Sequence, residues 1–179
     1  MRETVVVPGR QPRLLVLAVV AATALIAAGC GGGSKKPSGP TKASYIASAD
    51  ALCKTTHAQT RSLIAEIKSR APALVTGGAS TAKQLAGVVA HLGTVAGANL
   101  ARIRALATPS GDHAAIARFL NPLTAVVHAI GKAASALRSG QAFEAVSLLA
   151  EVEPTASKVA AAARAYGFKQ CTQVLSPLG

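Results

Sequence analysis

Apolar positions recur every three or four residues in four successive stretches of this chain, the spacing that places side chains on one face of an α-helix. In the first stretch Ile46, Ala49, Cys53, Thr56, Thr60, Leu63 and Ile67 fall on one stripe. Ser44 or Thr41 can cap its start. Pro72 stops it, because proline lacks an N–H and crowds the preceding turn. The second stripe is Leu85, Val88, Leu92, Val95, Asn99, Ile103 and Leu106, with Thr81 and Gln84 spaced as a capping box and Pro109 beyond the end. A row of small residues runs beside it: Ala86, Ala90, Gly93, Gly97 and Ala101. Gly93 and Gly97 have the spacing of a membrane dimer motif, but Lys83, His91, Arg102 and Arg104 on the same segment do not suit lipid. The row therefore predicts close packing on a neighbouring helix.

The third stretch opens at Asp112, a good N-cap, and carries Ile116, Leu120, Leu123, Val127, Ile130, Ala134 and Leu137. Pro122 inside it predicts a kink, and Gly140 a glycine C-cap. The fourth begins near Gln141 with Phe143 and Val146 at its entry. Its stripe continues through Leu149, Val152, Ala156, Val159, Ala163 and Tyr166. Pro154 predicts a bend or a split, and Gly167 a C-cap that lets Phe168 pack back. Four such helices with short connections predict an all-α, up-down-up-down four-helix bundle over residues 43–179.

The chain before the bundle follows a different pattern. Arg2, Arg10 and Arg13 precede an apolar run from Leu14 to Ala28, short of the roughly 20 residues that span a bilayer as a helix. Ala27, Ala28 and Gly29 then lead to Cys30. Ile26-Ala27-Ala28-Gly29-Cys30 resembles the lipobox of bacterial lipoproteins, with Ala27 where that family usually has Leu. The resemblance implies a signal peptide over 1–29, cleavage before Cys30, and diacylglycerol with palmitate-type acyl chains on its thiol. It covers roughly the first 30 residues and implies nothing about the bundle's activity. An uncleaved N-terminal anchor is the alternative. Either reading leaves the arginines cytoplasmic and the bundle at the extracytoplasmic face of the cell membrane. Residues 30–42 read as the lipidated cysteine and a Gly/Ser/Pro/Lys tether.

With Cys30 assigned to lipid, Cys53 and Cys171 remain, an even pair in an exported chain. In an antiparallel bundle the fourth helix ends where the first begins, so a disulfide between them would staple the termini. Two unpaired thiols are the alternative. The whole pattern is similar to uncharacterised helical lipoproteins of high-GC Gram-positive bacteria, which often pair a cysteine in the first helix with one near the C-terminus.

Composition adds charge. The chain carries 19 basic and 7 acidic residues, a formal +12, and removing residues 1–29 leaves +10. That balance favours anionic lipid or cell-wall polymer as partners. Nucleic acid is disfavoured, because Lys35-Lys36 is the only adjacent basic pair and aromatics are 3% of residues.

Candidate chemistry is sparse. His57, His91, His113 and His128 lack the spacing of metal motifs, and no Glu-x-x-His pair occurs, so neither a metal nor another cofactor is expected. Gly-x-Ser-x-Gly is missing, and Thr76-Gly77-Gly78-Ala79-Ser80 reads as an interhelix loop rather than an anion cradle. An enzyme is not expected. One constellation stands out: Cys53, Asn99 and Asn121 fall at about one height in an antiparallel bundle. Asn99 sits on an apolar stripe, where it either fixes helix register or marks a polar layer beside a ligand pocket. The expected function is a lipid-anchored interaction or envelope-associated module with an unknown protein partner. The alternative is a small-ligand binding or sensing domain that uses the bundle interior.

Overall fold

A computed structural model describes residues 39–74 and 78–173. The signal segment, Cys30 and most of the tether lie outside the described residues. Five helices follow in order: α1 (Lys42–Arg70), α2 (Gly78–Arg104), α3 (His113–Arg138), α4 (Ala142–Ala150) and α5 (Val152–Tyr166). A 3-10 turn, Ala71–Leu74, follows α1. Together α4 and α5 form a broken fourth helix, so the fold is an all-α four-helix bundle.

Local chemistry accounts for most helix ends. The Thr41 hydroxyl accepts the Ser44 N–H at 3.1 Å and caps α1. Pro72 falls in the 3-10 turn immediately after the helix. Gly167 has φ +108°, and its N–H and that of Phe168 both reach the Ala163 carbonyl, closing α5. The break between α4 and α5 falls at Glu151, three residues before Pro154, whose ring crowds the carbonyl of Ala150 and removes its hydrogen-bond donor. Pro122, by contrast, sits within α3 without ending it.

Three expected features differ. Helix α2 begins at Gly78, so Thr81 lies inside it and does not form the N-cap of a capping box; the Gln84 amide oxygen instead accepts from Arg70 at 3.2 Å. Gly78, Ala79 and Ser80 accordingly belong to the helix rather than to a loop. Asp112 stands at the N-cap position of α3, but its carboxylate makes no capping bond and accepts the Tyr166 hydroxyl at 2.6 Å. The entry residues Phe143 and Val146 are 92% and 52% exposed. The buried phase of α4 runs through Ala145 instead, four residues before Leu149 on the stripe that continues into α5.

Helix α3 is the hub. It packs on α2, α4 and α5, while α1 packs mainly on α2. It is also long and apolar enough to cross a membrane by length and composition. The small-residue row of α2 serves the α2–α3 seam: a Cβ on Gly93 would stand 3.3 Å from Ile130 Cγ2, and one on Gly97 3.7 Å from Val127 Cγ1. No comparable seam joins α1 to α4 or α5. Among the described residues that side is closed at one end, by Tyr166 and the segment after α5.

Candidate functional site

The closure after α5 is built from three kinds of interaction. Cys53 and Cys171 form a disulfide across 118 residues of sequence. One turn before Cys53, the Asp50 carboxylate accepts the backbone N–H groups of Lys169 (2.9 Å), Gln170 (2.9 Å) and Cys171 (3.1 Å). These are charge-assisted bonds and hold the segment in a tight turn. Beneath them Tyr45, Phe119, Tyr166 and Phe168 form a cluster with ring centroids 5.0–6.2 Å apart. Burial raises the Tyr45 phenol above its ordinary value. Tyr166 is raised further, first by burial and then by its hydrogen bond to the Asp112 carboxylate.

Above this closure, where α1 stands away from α4 and α5, the bundle contains a cavity of about 320 Å³. Its size falls in the range of small-molecule sites, roughly 300–1,000 Å³. Cys53, Thr56 and Thr60 of α1 form one wall, with Ile64, Ile67 and Lys68 nearer the end of that helix. The opposite wall is apolar: Phe119, Leu123, Val126 and Ile130 of α3, with Leu149 and Val152 beside them. Cys171 contributes to the floor, so the disulfide is part of the cavity wall. Lys68 is exposed and marks the rim.

Few polar groups face this space, and most are already engaged. The Thr56 hydroxyl donates to the Leu52 carbonyl and the Thr60 hydroxyl to the Thr56 carbonyl, both at 3.0 Å. Asn99 differs. It is 8% exposed, lines the cavity from α2, and its amide makes no hydrogen bond to any described residue. Among the described residues no fully sealed side-chain nitrogen or oxygen lacks a partner, so the Asn99 amide retains surface open to the cavity. A primary amide offers two donors and an acceptor. Such a group in an apolar chamber can orient a ligand through one polar function.

The sequence-derived candidates therefore separate. Cys53, Cys171 and Asn99 meet at one cavity. Asn121 does not join them: it is exposed on α3. It lies two residues from buried Phe119, about 200° around the helix, which turns it away from the interior. Azimuth around the helix, which a spacing argument along the axis leaves open, is what separates it from the others. Cys30 lies outside the described residues. His57 is half-buried, and His91, His113 and His128 are exposed. Among the described residues no three His, Cys, Asp or Glu side chains gather as a metal would require.

Sequence reasoning missed Asp50, Tyr45 and Phe119. Asp50 was legible only as one of seven acidic residues spread along the chain. Its position one turn from Cys53 was the available signal, since both must then face whatever chain segment Cys171 brings. No protein-family model, curated protein or solved structure matches the chain significantly.

Proposed function

We propose that this chain is a membrane-tethered, extracytoplasmic binding protein whose bundle interior takes a small, largely apolar molecule with one hydrogen-bonding group. The observation that carries this reading is the Asn99 amide, buried and unpaired among the described residues in a cavity of about 320 Å³. The amide keeps surface open to the cavity, so its donors and acceptor stand ready for a ligand. A ligand carbonyl or hydroxyl would bond there, while its hydrocarbon part covers the α1 and α3 walls. Asn99 as a register-fixing residue would instead call for a bond to a neighbouring helix.

The test compares a medium-chain fatty alcohol with the alkane of equal length by thermal shift. The alcohol is expected to raise the melting midpoint more than the alkane, and Asn99→Leu to remove that difference. An unchanged midpoint with both compounds, in a protein of intact disulfide, would overturn the reading.

The tether is the second part of the proposal and rests on the lipobox-like stretch ending at Cys30. Cys30→Ser is expected to stall processing or release the protein from membranes. Unchanged fractionation and size would remove the lipid anchor. A second reading, a module that docks another protein, draws support from Phe143 and Val146, which lie three residues apart on exposed α4. Under that reading Phe143→Ser abolishes capture of the partner without moving the melting midpoint.

A further inference from the structure

Six cations crowd one end of the bundle, and the carboxylates beside them are occupied by other donors. Lys42 at the start of α1, Arg102 and Arg104 at the end of α2, Arg118 near the start of α3, Arg164 in the last turn of α5 and Lys169 beyond it all belong to one end. All six are exposed. Two carboxylates share that end, and neither pairs with these cations: Asp50 holds backbone N–H groups and Asp112 holds the Tyr166 hydroxyl. At the other end Lys68, Arg70, Lys83 and Arg138 stand with Glu66 and Glu144, and Glu66 bridges Arg70 at 3.0 Å, so part of that end's positive charge is paired.

The basic end is also where the chain enters the bundle, at Thr41 and Lys42. From Cys30 to Lys42 an extended chain spans at most about 40 Å. We infer that this end is a docking surface for an anionic phospholipid bilayer, which it meets with Lys42, Arg102, Arg104, Arg118, Arg164 and Lys169. The inference rests on the tether reading above for the proximity it assumes, and on the placement of charge for the face it selects. Attraction between a basic face and an anionic surface decays within about 8 Å at physiological salt. Only an end already held near the bilayer benefits from it. Docking leaves the rim of the cavity near Lys68, toward the opposite end of α1, free to exchange its ligand.

The experiment uses the full chain reconstituted on vesicles, with hydrogen exchange read by segment. Flotation with purely zwitterionic vesicles first reports whether the chain is anchored at all, independently of the basic end. Vesicles containing anionic phosphatidylglycerol are then expected to slow exchange in residues 41–46, 101–118 and 164–173, with residues 136–146 unchanged. High salt should reverse the protection. Each of Arg102→Gln, Arg118→Gln and Arg164→Gln should weaken docking by roughly fivefold, with the melting midpoint kept. Equal exchange on zwitterionic and anionic vesicles would overturn the inference. So would protection at residues 136–146, or protection that arises only with an added anionic wall polymer. A chain that fails to float on zwitterionic vesicles but shows the anionic-specific pattern would refute the anchor and keep the docking face.

Discussion

At the scale of single residues, the same type of side chain serves unlike purposes according to what surrounds it. Asp50 and Asp112 are both near the basic end, yet one gathers three backbone N–H groups and the other a phenol. Asp50→Ala leaves those amides without their charged acceptor and is expected to cost about 2–3 kcal/mol, read as a lower denaturant midpoint. Tyr166 gives a pH prediction. Its phenol is raised above the ordinary 10.0 in the folded state, so the contribution is fully present below pH 10 and is lost as pH rises through the raised folded value. Stability should therefore fall above pH 10, and Tyr166→Phe should lessen that fall; an identical alkaline slope in both proteins would refute the assignment. Asn99→Leu should raise stability by about 1 kcal/mol, by setting hydrocarbon against the apolar cavity wall. Polar residues were legible in the sequence as candidates but not as partners, because partners come from distant segments.

At the scale of elements, the apolar spacing located all four helical segments, and proline and glycine located most of their ends. The α5 stripe from Val152 to Tyr166 is buried where the pattern placed it. Helix phase was harder. Tyr45 and Phe119 sit one residue from expected stripe positions Ile46 and Leu120, and both are buried. An Ala-rich helix offers neighbouring apolar columns, and packing against large aromatic rings chose between them. The start of α2 was misplaced because a good capping-box sequence also tolerates a position inside a helix. Gly167 is the clearest element-level test. At φ +108°, with Ile46 Cδ1 3.3 Å from where a Cβ would stand, Gly167→Ala is expected to cost about 1–2 kcal/mol by equilibrium unfolding.

At the scale of the whole molecule, the fold is an incomplete ring of helices stapled at one end. The topology that set Cys171 beside Cys53 was legible from helix count alone. The gap between α1 and α4–α5 was not, because it depends on which helices touch rather than on how many exist. Closing a loop of this length is worth roughly 4–5 kcal/mol in the chain-entropy account. The double variant Cys53→Ala, Cys171→Ala should lose up to that amount in denaturant titration, and the proposed binding of a fatty alcohol should weaken with it, since both residues border the cavity. The staple also imposes an order of events. A chain made from its N-terminus exposes residue 53 long before residue 171 exists, and the floor of the chamber needs both. The chamber floor is therefore complete only once the last helix and Cys171 have been made. The cavity is the last part of the fold to close, and the chain's own connectivity sets that timing.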